Sequence, residues 1–419
     1  MPDAAEGFSR TKLPKAVWRL GWVSLFTDVA TEMSYPLLPA FLATMGAAGQ
    51  WLGWVEGIAE SVGAFVKYFA GAASDRAASQ SGAGTGRKRY VVFGYTLSSL
   101  VRPLLSLAVA PWQVVALRAS DRVGKGIRSA PRDALLAAAI SPEARAYAFG
   151  FHQMMDNIGA VIGPLVAFTL ARAAGMSLRA IFAFAIVPGL IAVATLAFGV
   201  HEASGSAEGG TSQTPGATGS AEGGTSQTPG ASTPSAPSLS PHVKRYLVAV
   251  AVFSLGASAD TFLLLRLSRQ HLPDAYLPIA WLSLNAMKAL TNIPGGRLSD
   301  RIGHKWTLLG GWTLYAAAYA TFPFAHTITA TWLVLLAYGF YYGLTEGAEK
   351  ALLTELTPKE QRGRAFGTLH AITGFAVLPA NAVFGYLFDT HPEAAFLMGA
   401  SCAALGALLL LILVRPTKS

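Results

Sequence analysis

Several ionisable side chains lie inside apolar stretches of this sequence, at spacings that put them on shared helix faces. Asp28 and Glu32 are four residues apart within SLFTDVATEMSYPLLPAFL, residues 24–42, and His152 and Asp156 repeat the spacing further along. Residues four apart lie one above the other on one face of an α-helix. Carboxylates held away from water in such helices can take up and release protons near neutral pH, so the pattern points to proton or cation binding.

A charge at the centre of a membrane-spanning helix costs roughly 2.5–3.5 kcal/mol even on the milder insertion scale, and such residues usually face the bundle interior. Ionisable residues of this kind are our candidates for substrate binding or proton coupling. They are Asp28, Glu32, Glu60, Lys67, Arg118, His152, Asp156, Asp260, Arg266, Glu346, Glu349 and Lys350. The competing interpretation is that they form only salt bridges that tie helices together.

The elements that must position these residues are long apolar helices. The chain has 419 residues, of which 52% are hydrophobic and 13% charged, whereas a soluble domain carries about 25% charged residues. Windows of about 20 mostly apolar residues, long enough to cross a bilayer, recur twelve times. They lie at roughly 17–43, 51–74, 90–110, 111–130, 146–171, 178–200, 246–268, 275–296, 306–325, 330–354, 365–388 and 393–414. The sequence therefore predicts an all-α membrane protein with twelve transmembrane helices, here called spans 1 to 12.

Most of the 32 lysines and arginines lie in short clusters at the termini and in the connections after even-numbered spans. By the positive-inside rule, both termini face the cytoplasm, and we expect an integral protein of the plasma (inner) membrane. The net charge of +9 comes from these clusters. Because the clusters are short and alternate with apolar spans, no nucleic-acid partner is expected. The expected partners are the lipid bilayer and a small-molecule or ion substrate.

A change of composition divides the chain in two. The stretch GSAEGGTSQTPGAT at 205–218 begins again at residue 219, and Gly, Ser, Thr and Pro without aromatic residues indicate a flexible linker. We therefore predict a six-helix bundle at 1–202, a cytoplasmic linker at 203–241 and a second six-helix bundle at 242–419. Because both halves are present in one chain, we expect a monomer.

The two halves share landmarks. GAASDR at 71–76 corresponds to GRLSDR at 296–301, and PRDALLAAAISPEARAYAFG at 131–150 corresponds to EKALLTELTPKEQRGRAFG at 349–367. Matching landmarks in two six-span halves imply parallel repeats about an axis normal to the membrane. The expected architecture is therefore two pseudo-symmetric bundles.

These landmarks resemble the signature loops of the major facilitator superfamily. The pattern Gly-x-x-x-Asp-Arg-x-Gly followed by basic residues matches well after span 8, whereas after span 2 an insertion, AASQSGAGT, separates Asp-Arg from GRKR. In that family the loop Asp and Arg form charge contacts that close the cytoplasmic face. The gating residues that the resemblance implies are Gly71, Asp75, Arg76, Gly296, Asp300 and Arg301.

The resemblance implies a secondary transporter that works by alternating access, with spans 1, 4, 7 and 10 lining the cavity. Arg118 begins RASDRVGKG, which partly resembles a span-4 motif tied to proton transfer. Gly159, Gly163 and Pro164 match the core of a Gly-x-x-x-Gly-Pro pattern that marks proton-driven exporters. Ordinary packing of small residues four apart explains the glycines equally well.

The leading functional prediction is proton-coupled efflux, or antiport, of a small molecule or cation, which includes a metal ion. The proton gradient would supply the energy, and no cofactor is expected. The alternative is proton-coupled import of a small organic anion or of a metal chelate such as a siderophore, served by the basic residues within the spans. An excess of unpaired acid at the cavity would favour cation export, and an excess of unpaired base would favour anion import. A non-transport sensor is a third hypothesis.

Other chemistries find no support in the sequence. SGAGTGRKR lacks the spacing of a phosphate-binding loop, and neither a Gly-x-Ser-x-Gly elbow nor an HExxH zinc helix occurs, so we expect that the protein is not an enzyme. His152 and His370 are weak metal-ligand candidates, because no Cys/His cluster at ligand spacing accompanies them. One cysteine, Cys402, excludes a disulfide framework.

Overall fold

The computed structural model describes residues 13–47, 49–80, 85–139, 145–199, 239–358 and 361–414, apart from the side chains of residues 68, 71–80, 85–87, 130, 134, 137, 138, 145–147, 149, 150 and 363. Throughout this part of the chain the regular structure is helical, and it forms twelve spans in two pseudo-symmetric halves of six. The predicted fold class is therefore confirmed. The proposed linker falls mainly on residues 200–238, which lie outside the described residues.

The first half contains spans 1 to 6. Their bounds are Lys15–Ser34, Tyr35–Leu37 and Leu38–Ala43 for span 1, Gly49–Gln80 for span 2, Thr85–Leu104 and Leu105–Leu107 for span 3, Pro111–Ala138 for span 4, Arg145–Arg172 for span 5, and Leu178–Phe184 with Ile186–Gly199 for span 6. Pro36 and Pro39 lie where span 1 passes through a 3₁₀ turn, as expected for residues that cannot donate a backbone hydrogen bond.

The second half contains spans 7 to 12. Their bounds are Pro241–Gly256 and Thr261–Arg269 for span 7, Leu277–Ile302 for span 8, His304–Thr321 and Phe322–Phe324 for span 9, Ile328–Leu356 for span 10, Arg362–Thr390 for span 11 and Pro392–Leu413 for span 12. Gly303, the signature-loop glycine between spans 8 and 9, has φ +94°. Residues that carry a side chain rarely adopt this backbone conformation, so the tight turn explains why glycine is needed there.

Seven spans are long and apolar enough to cross a membrane by length and composition alone: 3, 5, 6, 7, 10, 11 and 12. Spans 1, 2 and 4 are not among them, and these three spans carry most of the first half's buried charges. Their hydropathy is low because polar groups that face the interior of the bundle replace apolar ones.

The helices pack with the same pattern in both halves. Span 2 packs on span 4 as span 8 packs on span 10, and span 3 packs on span 4 as span 9 packs on span 10. Between the halves, span 2 packs on span 11 and span 5 packs on span 8. The pseudo-symmetry relates each span to the one six places later in the chain. It therefore relates the contact between spans 2 and 11 to the contact between spans 8 and 5.

The hydrophobic core joins the halves on one side only. We call the side on which span 1 begins and span 12 ends the terminal side, and the opposite side the far side. One core cluster runs through the second half and takes in Phe41, Leu52 and Phe182 from the far ends of the first half. A separate cluster around Leu20 and Tyr95 belongs to the terminal side of the first half alone. Among the described residues, the shared hydrophobic core of the two halves therefore lies on the far side, and spans 2 and 11 continue to pack together towards the terminal side, where the Ser61 hydroxyl donates to the Gly374 carbonyl at 3.0 Å.

The far side is closed by a set of contacts that we call the far-side seal, made by Gly49, Gln50, Arg269 and Asp389. The Asp389 carboxylate at the end of span 11 accepts hydrogen bonds from the backbone N–H groups of Gly49 at 2.9 Å and Gln50 at 2.6 Å. Arg269 pairs with the same carboxylate and donates to the Phe388 carbonyl at 2.8 Å. A side chain of the second half thus caps the first turn of span 2 in the first half.

Asp389→Ala is expected to weaken the seal. Loss of a capping carboxylate costs about 0.5–2 kcal/mol, a factor of about 2–30 in the ratio of closed to open far side. Spin labels on Ala174→Cys and His326→Cys, in a Cys402→Ala chain, would report the far-side distance, and we expect a larger population at long distance. Asp274→Ala removes a half-buried far-side carboxylate that has no hydrogen bond or ion pair to a described residue, and it should leave the distribution unchanged. Equal distributions for both variants would contradict the role of Asp389.

Candidate functional site

The break in span 7 positions the first member of the site. Residues 257–260 interrupt the helix, and other spans satisfy their backbone and side chains. The Asn381 Oδ1 atom of span 11 accepts from the Ala259 N–H at 2.8 Å, and the Ser258 hydroxyl lies 2.8 Å from the Tyr319 hydroxyl. The last residue of the break is Asp260, whose side chain is thereby presented at the middle of the bundle. Interrupted helices of this kind often form binding sites in transporters.

The Asp260 carboxylate is surrounded by a lysine and aromatic side chains. Lys288 of span 8 places its Nζ atom 2.5 Å from Oδ2, the Tyr338 hydroxyl donates to Oδ1 at 2.7 Å, and the Tyr342 hydroxyl lies 3.0 Å from Oδ1. The Lys288 Nζ atom also lies 3.8 Å from the centre of the Tyr342 ring and 5.5 Å from that of Trp281. We call these five residues the Asp260 cage.

Trp281 connects the Asp260 cage to the first half. Its Nε1–H donates to the Glu32 Oε2 atom of span 1 at 2.6 Å. Its ring also meets that of Tyr35 edge to face, with centroids 5.1 Å apart. Side chains of the two halves therefore touch at the centre of the bundle.

On the other side of Tyr35 lies a buried cluster of opposite charges. The Tyr35 hydroxyl donates to Glu56 Oε2 at 3.0 Å, and Arg118 Nη2 lies 3.9 Å from Glu56 Oε1. Asp121 has Arg118 Nη1 at 3.5 Å and Arg102 Nε at 3.0 Å. The four charged side chains are at most 5% exposed. We call Arg102, Arg118, Asp121 and Glu56 the arginine cluster.

Asp28 differs from these acids, because it makes no hydrogen bond or ion pair to a residue that the structure describes. Span 5 crosses span 1 directly at this residue: a Cβ atom on Gly159 would lie 2.9 Å from the Asp28 Cβ atom, and one on Gly163 would lie 2.8 Å from the Glu32 Cβ atom. The two glycines thus allow spans 1 and 5 to pack closely. This agrees with the interpretation of the Gly-x-x-x-Gly-Pro pattern as ordinary packing of small residues. They also bring the span 5 backbone against both acids.

A second polar group lies between spans 1 and 5 on the terminal side of Asp28. His152 Nδ1 lies 3.5 Å from Asp156 Oδ2, and the Ser24 hydroxyl donates to Asp156 Oδ1. The Nε2 atom of His152 is buried and has no partner among the described residues. Asp156 also interacts electrostatically with Asp28 and Arg132. Titratable groups therefore follow one another from the terminal side towards the centre.

Several candidate residues lie elsewhere. Glu60, 46% exposed, pairs with Arg122 at 2.5 Å. Glu346 and Lys350 form an exposed pair at 3.7 Å on span 10, and Glu349 lies half-buried beside them. The structure does not bring Glu346, Glu349 or Lys350 to Asp260.

The remaining basic candidates are also peripheral. Arg266 donates to the Ala325 carbonyl at 3.3 Å near the far side. Lys67 is exposed, as is His370, and the two interact electrostatically. His152 and His370 lie on spans 5 and 11 respectively, and the described residues contain no group of three His, Cys, Asp or Glu side chains that could hold a metal ion.

The gating residues are only partly described. The backbone of Gly71, Asp75 and Arg76 belongs to span 2, but their side chains lie outside the described residues. In the second half, a Cβ atom on Gly296 would meet nothing within 4 Å. Asp300 and Arg301 are exposed and have no ion pair to a described residue. The gating contacts that the resemblance implies for Asp300 and Arg301 thus remain a prediction, because none is made to a residue that the structure describes.

Sequence reasoning missed the aromatic members of the site. Tyr35, Trp281, Tyr338 and Tyr342 carry the hydrogen bonds between the charged groups, yet in the sequence they look like ordinary residues of apolar helices. The run YGFYYG at 338–343 was the available signal, because several phenol groups in one span need polar partners when they are buried. Lys288, a further charge within a predicted span, is also absent from the candidates drawn from the sequence.

One apolar cavity lies apart from this site. It has a volume of about 570 Å³ and lies between spans 1, 5 and 6, where it is lined by residues such as Trp22, Phe26, Met154 and Ile191. It contains none of the charged candidates.

The chain resembles known proteins over its whole length. The family model of the Major Facilitator Superfamily matches residues 20–287 and 279–419. An uncharacterised MFS-type transporter of Methanocaldococcus jannaschii is 29% identical over 410 residues, which are 96% of this chain and 96% of that protein. The multidrug resistance protein MdtG of Serratia proteamaculans is 30% identical over 164 residues, 38% of each chain. The crystal structure of the nucleoside transporter NupG aligns with a TM-score of 0.71 at 12% identity, over 96% of this chain and 100% of that one.

Proposed function

This chain belongs to the major facilitator superfamily of membrane transporters, and we propose that it is a proton-coupled antiporter that exports a small molecule or a cation. The proposal places it in the plasma (inner) membrane as a monomer, with both termini in the cytoplasm. The proton gradient supplies the energy, and no cofactor takes part. The observation that carries the proposal is the pair of acids on the central face of span 1, Asp28 and Glu32, neither of which forms an ion pair with a residue that the structure describes.

The balance of charge at the centre supports a cation or a proton as the bound species. The arginine cluster and the Asp260 cage are paired internally. Asp28 has no hydrogen bond or ion pair to a described residue, although Lys125 and Arg128 act on it electrostatically, and Glu32 accepts only from the neutral Trp281 indole among the described side chains. Buried carboxylates without a cationic partner bind a proton or a cation readily, since burial penalises their charge.

The arrangement of the halves supports alternating access. The far-side seal and a shared hydrophobic core hold the halves together at the far ends of the bundle, while the core on the terminal side of the first half belongs to that half alone. If the terminal side is cytoplasmic, as the positive-inside rule predicts, this arrangement admits substrate from the cytoplasm. The groups from His152 through Asp156 to Asp28 then offer a path for a proton that arrives on or leaves towards that side.

The name of one relative agrees with export. MdtG is a multidrug resistance protein, and resistance through transport requires that a drug leave the cell. The similarity covers 38% of each chain, so it supports the direction of transport more than the identity of the substrate.

Import of an organic anion or metal chelate is the second candidate, and span 4 carries the observation that favours it. Arg128 is buried, donates to the Ser98 hydroxyl at 2.8 Å and has no carboxylate within 4 Å among the described residues. Lys125, one turn away, is exposed. A negatively charged substrate would find both cations available on the terminal side.

The experiment that tests the proposal is a transport assay in proteoliposomes. An imposed proton gradient should drive uptake or release of a substrate found by thermal-shift screening, and Asp28→Asn should abolish the effect of the gradient while exchange of substrate at equal pH persists. The matched control is Glu393→Gln, which removes an exposed acid at the start of span 12 and should couple normally. If Asp28→Asn remains fully coupled, or if only anions are carried, the proposal is wrong.

A further inference from the structure

The ammonium group of Lys288 occupies a site with the features that proteins use to bind free organic ammonium ions. A carboxylate oxygen of Asp260 lies 2.5 Å from it, and the Tyr342 ring centre lies 3.8 Å from it. The Trp281 ring lies on another side at 5.5 Å. A carboxylate combined with aromatic faces is the usual arrangement for recognition of ammonium ligands.

The cage is held in shape independently of Lys288. Tyr338 and Tyr342 both donate to Asp260, and Tyr338 stacks on Tyr341 with centroids 5.5 Å apart. Tyr315 and Tyr319 also contact the Tyr338 ring, with centroids 5.6 Å and 5.7 Å away. The rings therefore stay in place when the ammonium group leaves, as a preorganised binding site requires.

Lys288 is the member of the cage that can move most easily. Its side chain is 19% exposed, against 9% for Asp260, and a lysine has four flexible carbons between its backbone and its charge. Glu32 contacts the same Trp281 indole and has no cationic partner among the described side chains. It offers the displaced ammonium group another carboxylate.

We propose that Asp260, Tyr338, Tyr342 and Trp281 form a binding site for the ammonium head group of an organic cation, and that Lys288 occupies this site until the cation displaces it. The proposal deepens the proposed function and rests on it, because it names organic ammonium ions as the substrate class. Exchange of one ammonium group for another never leaves the buried Asp260 carboxylate uncompensated. The exchange therefore avoids the large penalty of a bare buried charge.

The test uses the purified full-length protein in detergent and follows thermal unfolding with n-propylammonium chloride, a soluble copy of the lysine head group. Lys288→Ala should unfold at a lower temperature than wild type and should be stabilised by the amine at concentrations at least about tenfold lower than wild type requires. Sodium chloride and n-propanol should not reproduce the effect. Lys350→Ala, which removes the exposed lysine that pairs with Glu346, is the matched control and should show no gain.

Two further variants keep the test decisive. The Lys288→Ala/Asp260→Asn protein should lose the response to the amine, because the carboxylate that faces the Tyr342 ring is gone. Should Lys288→Ala fail to fold, phenethylammonium binding to Tyr342→Leu should be at least about tenfold weaker than to wild type, since a desolvated cation–π contact is lost. A response of Lys288→Ala equal to that of Lys350→Ala, or unchanged binding in Tyr342→Leu, would overturn the proposal. Because these measurements need no proton gradient, they can fail while the Asp28 coupling test succeeds, and the reverse is equally possible.

Discussion

Replacing Asp121 with alanine is expected to destabilise the protein by about 3–5 kcal/mol, the scale measured when one partner of a buried ion pair is removed. Asp121 is 2% exposed and neutralises two arginines, with Arg102 Nε at 3.0 Å and Arg118 Nη1 at 3.5 Å. In the variant, only Glu56, 3.9 Å from Arg118, would remain for two buried guanidinium groups. Unfolding in mild detergent, followed by helix content against denaturant concentration, would measure the loss.

The matched control is Glu60→Gln. Glu60 also pairs with an arginine, Arg122, but its side chain is 46% exposed, and a pair that is open to solvent contributes about 1 kcal/mol or less. The Arg102→Met/Asp121→Leu variant removes one buried charge of each sign and should recover much of the stability, because apolar residues of similar volume often replace buried pairs without loss. Equal stability of Asp121→Ala and Glu60→Gln would show that the arginine cluster is not a buried structural pair.

The second large effect concerns the crossing of spans 2 and 11, where Gly53→Leu should prevent the halves from closing on the far side. A Cβ atom on Gly53 would overlap the carbonyl oxygen of Asn381, and one on Gly385 would overlap the carbonyl oxygen of Gly49. Backbone on both sides leaves no flexible side chain to move away. Overpacking typically costs about 1–3 kcal/mol. Because the halves can separate here, that cost changes the ratio of the two arrangements about 5- to 150-fold.

Spin labels on Ala174→Cys and His326→Cys would measure the result, with a shift of most molecules to the longer far-side distance. Gly310→Leu is the control, since a Cβ atom at this exposed position of span 9 would meet nothing within 4 Å. Gly295→Leu provides a contrast, because its Cβ atom would overlap the Gly343 carbonyl within the second half. That variant should lower stability without the distance change. An unchanged distance in a folded Gly53→Leu protein would show that this crossing does not hold the far side closed.

The twelve spans could be predicted from the sequence because apolar length is a local property of the chain. The fold of the family could also be predicted, because its signature loops are motifs of a few consecutive residues, such as Gly296 to Lys305. The helices extend beyond several predicted windows, for example to Gln80 in span 2 and Ala138 in span 4. They do so because a helix continues into water after its apolar stretch has ended.

The partners of the charged residues could not be predicted, because they depend on where helices cross. The resemblance implies only that Asp260 lies on a span that lines the cavity, as do Asp28 and Glu32, and in the structure Asp260 is paired with Lys288. Arg118 meets Asp121 and Glu56, which come from its own span and from span 2. Spacing along one helix tells which residues share a face, but it does not tell which face of the next helix they will meet.

The break in span 7 was missed for a different reason. LGASADT at 255–261 contains small residues that are compatible with either helix or loop. The break is stabilised by Asn381 and Tyr319, more than 50 residues away in the sequence. Tertiary hydrogen bonds thus decide the local structure around Asp260.

Span 11 carries a mechanical consequence. Asn381 touches the backbone of Gly53 through its carbonyl group and supports Ala259, next to Asp260, through its side chain. Asp389 lies eight residues further along the same helix, about 12 Å away. Because the helix is stiff, a displacement of span 11 at Asp389 also displaces Asn381 and the backbone that it supports next to Asp260. By thermodynamic reciprocity, if closing the far-side seal changes the affinity of the site around Asp260, then a ligand bound at that site changes the closing equilibrium of the seal by the same factor.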